Sequence, residues 1–148
     1  MVAEPPLVLC LDEDWRTLQI VARALATLPV RCLTTDTPAE AIRLAGHNRP
    51  ALLILNLVMP GLTGWEVLER IRSCVAPQAL LVLVLSANDN RVERLLAKNV
   101  ARVDLFMPQP FDPAKLTQQV GQILRLPGWH SHYLPSADGD GVNGATDA

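Results

Sequence analysis

Largely apolar residues fall in five short blocks: Leu7–Leu11, Val30–Thr34, Ala51–Leu55, Leu80–Leu85 and Val103–Met107. None alternates clearly with polar positions, and runs this short without alternation suit parallel strands buried on both faces. Between the blocks, apolar residues return at helical spacing. Leu18, Val21, Leu25 and Leu28 mark the first such stretch, Ala41, Ile42 and Leu44 the second, and Trp65, Leu68 and Ile71 the third. Val92, Leu95 and Leu96 mark the fourth, and Leu116, Val120 and Leu124 the fifth. Thr37-Pro38-Ala39-Glu40 and Thr63-Gly64-Trp65-Glu66 read as capping boxes, and Asp112-Pro113 opens the last helix in a similar way. Gly46 and Gly128 fall where helices are expected to end.

Strand and helix in strict alternation predict an α/β fold, (βα)5, with one five-stranded parallel sheet and helices on both faces. Right-handed crossovers favour a doubly wound, flavodoxin-like sheet of order 2-1-3-4-5. Residues 1–127 form the predicted domain. Residues 128–148 read as a flexible tail or linker, since Ser136–Ala148 offers no core residue except Val142.

Composition narrows the function classes. The 148 residues carry a formal net charge of −2, 49% are hydrophobic and 19% charged. The basic residues are scattered, which gives no electrostatic footprint for nucleic acid. No apolar run approaches the roughly 20 residues of a membrane span. Residues 1–11 lack a basic start and a cleavage signature, so a cytoplasmic chain is expected. Cys10, Cys32 and Cys74 are odd in number and widely spaced. They match no disulfide or zinc pattern and read as small buried hydrophobes.

In an open parallel sheet the site lies beyond the carboxyl ends of the strands. Those ends deliver Asp12, Glu13 and Asp14 after the first strand, Asn56 after the third and Ser86-Ala87 after the fourth. The fifth delivers Phe106, followed by Met107-Pro108-Gln109-Pro110-Phe111. Taken in order, several of these features resemble the receiver domain of two-component response regulators over roughly residues 7–126. They are the acidic pair in Leu11-Asp12-Glu13, the segment from Leu52 through Met59-Pro60 to Gly64, Ser86-Ala87, Phe106 and Pro110-Phe111.

The resemblance implies an aspartate carboxylate that attacks a phosphoryl group held by Mg2+, the metal taking oxygens from the acidic pair, the acceptor and a backbone carbonyl, here that of Val58. It also implies a lysine and a Ser/Thr on the phosphoryl oxygens, and a switch aromatic at Phe106. Two positions depart from that pattern: the acceptor position is Asn56 and the lysine position is Gln109. An amide is neutral and its lone pair delocalised, so it is no substitute for a carboxylate nucleophile. Mg2+ prefers anionic oxygens, and Gln109 donates hydrogen bonds without supplying a cation.

The expectation is therefore a pseudo-receiver: not an enzyme, with no catalytic residue, and acting through a protein partner or an attached effector domain. The residual pocket is Asp12, Glu13, Asn56, Ser86 and Gln109. No cofactor or metal is expected, with Asp12 and Glu13 left as residual candidates for weak Mg2+ binding. Three carboxylates and one ammonium carry net charge −2, as do Asp12 and Glu13 beside neutral Asn56 and Gln109. That balance predicts a hydrogen bond between Asn56 and Gln109, where an acid and a lysine would pair. Gln109-Pro110 is expected to be cis, as the resemblance implies.

Other motifs read more plainly. Trp15 either covers the pocket or staples the first helix. His130, His132 and Asp138-Gly139-Asp140-Gly141 are linker composition, not metal sites. Arg91, Arg94, Lys98 and Arg102 form a solvated face. The resemblance makes the surface of the fourth helix, fifth strand and fifth helix a docking or homodimer face. Two rivals remain: a working receiver that uses Asp12 or Asp14, or a deamidated Asn56, as acceptor, and a small-ligand sensor on the same scaffold. The second rival lacks a glycine-rich phosphate loop after the first strand.

Overall fold

The computed structural model describes residues 4–57, 63–75, 80–86 and 102–128. The stretch around Val92, Val58 with Met59-Pro60, Ala87, and the tail with His130 and His132 lie outside them. The described strands are β1 (Leu7–Leu11), β2 (Arg31–Thr35), β3 (Leu52–Asn56), β4 (Leu81–Ser86) and β5 (Leu105–Pro108). The helices are α1 (Trp15–Leu25), α2 (Pro38–Asn48), α3 (Gly64–Cys74) and α4 (Pro113–Ile123). All four strand pairs are parallel, in the order β2-β1-β3-β4-β5. Each strand lies within two residues of its apolar block.

The pleat explains why the central strands are apolar throughout. Successive side chains point to opposite faces, so one run feeds two cores. Leu9, Leu11, Leu53, Leu55, Val82 and Val84 pack with Ala41 and Ala45 of α2 and Val67, Leu68 and Ile71 of α3. Their neighbours Val8, Cys10, Leu52, Ile54, Leu83 and Leu85 pack with Leu18, Val21 and Leu25 of α1 and Leu116 and Val120 of α4. The Thr117 hydroxyl clasps α4 to α1 by donating to the Ala24 carbonyl at 2.9 Å. The chain thus winds out from β1 to β2 and back across to β3, which opens a crevice between the carboxyl ends of β1 and β3.

Several local expectations are corrected. Thr37 caps α2 by accepting from the Glu40 N–H at 3.4 Å, but the Glu40 carboxylate turns to Arg43 at 2.6 Å and leaves the box half made. Among the described helices only α3 has the full box, with Glu66 Oε1 accepting from the Thr63 N–H at 2.9 Å. Gly46 lies inside α2, which ends on Arg49 in the left-handed region (φ 48°), and Arg125 (φ 54°) turns the chain after α4. Cys10 is buried and Cys32 half-buried as expected of small hydrophobes, whereas Cys74 is exposed at the end of α3.

Candidate functional site at the carboxyl edge

Strand register decides which polar side chains meet. Leu11 of β1 lies beside Leu55 of β3, so the next residue on each strand, Asp12 and Asn56, arrives side by side at the crevice. On the far side of β3, Asn56 pairs with Leu85 and Ser86 pairs with Pro108. Asp12, Asn56, Ser86 and Gln109 therefore follow one another along the edge of β1, β3, β4 and β5.

Asp12 is 1% exposed, and both of its carboxylate oxygens accept N–H groups. Oδ1 takes the Asp14 backbone N–H at 2.8 Å, and Oδ2 takes Asn56 Nδ2 at 3.2 Å. Burial pushes the Asp12 carboxyl above its ordinary value of 3.8. The hydrogen bonds from Asp14 and Asn56 pull it down, and the Asp14 and Glu13 charges push it up. Desolvation is the largest of these effects. Asp14 has a second task, since its carboxylate caps α1 by accepting from the Arg16 N–H at 2.9 Å. Glu13 is exposed.

The expected bond between Asn56 and Gln109 is not formed. Asn56 turns toward Asp12, because the β1–β3 register puts a charged acceptor nearer than anything β5 offers. Gln109 is tied by its backbone, its N–H donating to the Ser86 carbonyl at 2.8 Å, and the Gln109–Pro110 peptide is cis. Ser86 is fully buried at the end of β4. Phe106 is half-buried and packs against the core beneath α2 and α3. Trp15 takes neither expected role: it is 59% exposed, with the Arg16 guanidinium 5.6 Å from its ring centre.

Gly64, in the sequence the last residue of the segment that runs from Leu52, has a task of its own in the structure. A Cβ there would lie 2.6 Å from the Asn56 carbonyl oxygen and 2.6 Å from the Leu57 Cα. The start of α3 is thus pressed onto the end of β3, and the Gly64 N–H donates to the Leu57 carbonyl at 3.0 Å. A glycine at the first helical position, where propensity favours almost any other residue, was the available signal. Nothing in the sequence pointed to Arg72, which donates from α3 to the Arg102 carbonyl at 2.8 Å and braces the approach to β5.

The donors set where the resemblance would hold Mg2+ are already in use. Of the residual candidates, Asp12 has both oxygens engaged and Glu13 is exposed, while Asn56 presents nitrogen and not oxygen to Asp12. Among the described residues, no group of three His, Cys, Asp or Glu side chains is placed to hold a metal.

Residues 8–121 match the family described as the response regulator receiver domain. The chain is 31% identical over 121 residues to the response regulator MprA of Mycobacterium sp. (strain KMS), covering 82% of this chain and 51% of that protein. It is 29% identical over 125 residues to protein PetR of Rhodobacter capsulatus, covering 84% and 51%. It thus spans about half the length of these relatives. Among solved structures, a CheY-like receiver domain protein from Methanospirillum hungatei JF-1 superposes with a TM-score of 0.73 at 17% identity, over 82% of this chain and 94% of that one. A response regulator structure from Chloroflexus aurantiacus J-10-fl gives 0.73 at 23% identity, over 82% and 98%. At these identities the structural likeness speaks for the fold.

Proposed function

This chain belongs to the response regulator receiver family of two-component signalling, and from that premise we propose that it signals by protein contact without aspartyl phosphorylation. The observation that supports this reading is the contact between Asn56 Nδ2 and Asp12 Oδ2 at 3.2 Å. At the end of β3, where the resemblance calls for an anionic nucleophile, the chain has a neutral amide that donates a hydrogen bond. At the end of β5, where it calls for a cation, Gln109 stands. Attack on a phosphoryl group needs the first, and stabilising the charge that develops on its oxygens needs the second.

The neighbouring carboxylates are poor replacements. Both Asp12 oxygens accept N–H groups, and Asp14 is spent on capping α1. In this reading the domain has no enzymatic activity of its own and acts in the cytoplasm. Among the described residues no helix is long and apolar enough to cross a membrane. Its output passes to a protein, and an effector domain joined to this one is favoured because the relatives are about twice the length matched.

The test is incubation of the full chain with acetyl phosphate and Mg2+, followed by intact mass. No change in mass is expected. An added mass of about 80 daltons, one phosphoryl group, would overturn the reading whichever residue carried it.

A further inference from the structure

We propose that the Asn56 side-chain amide is a built-in replacement for a divalent cation in the β1–β3 crevice, so that the pocket is complete without an ion. This rests on the reading that no phosphoryl group is accepted there. A metal at this edge would draw on oxygens at positions 12, 13 and 56. The chain has instead an N–H, the positive end of a dipole, aimed at Asp12 Oδ2 from 3.2 Å. The other amide orientation would set two oxygens against each other at that distance with no proton between them, so the nitrogen must face the carboxylate. The remaining oxygen of Asp12 is already satisfied by the Asp14 N–H at 2.8 Å.

The main chain that carries the amide is held in place. Asn56 is held in register with Leu85, and its carbonyl lies against the Gly64 backbone too closely for a Cβ to fit between. A cation entering the crevice would have to break the Asp12–Asn56 bond and turn the amide over. Mg2+ gives up its water reluctantly and favours anionic oxygens, so the buried Asp12 carboxylate, the exposed Glu13 and one amide do not repay that exchange. The pocket is therefore indifferent to Mg2+, and its shape cannot follow the ion. Replacing the N–H by a second carboxylate restores the demand for a cation, because two like charges would then meet at hydrogen-bond distance.

The experiment is a Mg2+ titration through the millimolar range, followed by 15N NMR, on the wild-type chain and on Asn56→Asp. In the wild type the Asn56 side-chain amide resonances are expected to stay in place. Asn56→Asp is expected to bind Mg2+ at least about tenfold more tightly and to gain melting temperature with the ion. Saturable movement of the wild-type Asn56 resonances overturns the proposal, and so does an Asn56→Asp chain that folds yet responds no more than the wild type. Should the variant fail to fold, the wild-type titration decides by itself. A Mg2+ response without a mass adduct from acetyl phosphate removes this inference alone, whereas an adduct removes the reading beneath it.

Discussion

At the β1–β3 half of the carboxyl edge two side chains close the site, Asp12 and Asn56 at 3.2 Å. At the β4–β5 half the described join is backbone, the Gln109 N–H on the Ser86 carbonyl at 2.8 Å. The first join depends on residue identity, because a side-chain donor at position 56 is what the Oδ2 of the buried Asp12 carboxylate accepts. The second survives any side chain at 109 that leaves the peptide geometry alone. The two departures from the family pattern are therefore unequal. Asn56 takes part in the folded structure's electrostatics, and Gln109 reaches its neighbour through the main chain.

The largest expected effect comes from the wall behind Asn56. Gly64→Ala adds a methyl 2.6 Å from backbone atoms of Asn56 and Leu57. Helix propensity alone would reward the change by about 1 kcal/mol. The clash is with backbone anchored in the β3 ladder, which cannot swing aside, so a net loss of about 2 kcal/mol or more is expected in a urea melt. Unchanged stability would mean that α3 does not hold the strand end in place.

Two double-mutant cycles sharpen the contrast between the halves. Asp12→Ala and Asn56→Ala are expected to be non-additive by about 1.5 kcal/mol, the lower end of the range for a hydrogen bond to a charged partner. Asn56→Ala and Gln109→Ala should add to within about 0.5 kcal/mol. Equal coupling in the two cycles would mean that the two halves of the edge are joined alike.

The smallest effect is a tilt of stability with pH. Burial raises the Asp12 carboxyl above 3.8 in the folded chain, so the folded state holds that proton more tightly than the unfolded state does. The contribution of Asp12 to stability is therefore greatest below 3.8 and declines as pH rises through its raised folded value. Asp12→Asn should remove this decline. Denaturant melts across the acid range would show the wild type losing ground to Asp12→Asn as pH rises, and a difference independent of pH would contradict the assignment.

Much of the scaffold was legible because its cause is local. Leu52–Leu55 reads as a buried strand since each residue faces one core or the other, and Thr63 with Glu66 forms its capping box from four consecutive residues. Candidate site positions were legible because strand ends can be counted. Pairings were less so. Glu40 matched the box pattern, but Arg43 on the next turn offered a stronger partner. Gly46 looked like a helix end, yet α2 runs on to Asn48 and Arg49 takes the left-handed turn before Pro50.

The sequence by itself determined an alternating (βα) chain, a parallel sheet and the presence of an amide and a glutamine where the receiver pattern has an acid and a lysine. Those properties follow from periodicity and residue chemistry, which need no third dimension. Tertiary structure decided who touches whom. The parallel register of β1 and β3 set Asn56 beside Asp12, and the pressure of Gly64 on the end of β3 held it there. A buried carboxylate draws the nearest available N–H, and nearness at that edge is a property of strand order.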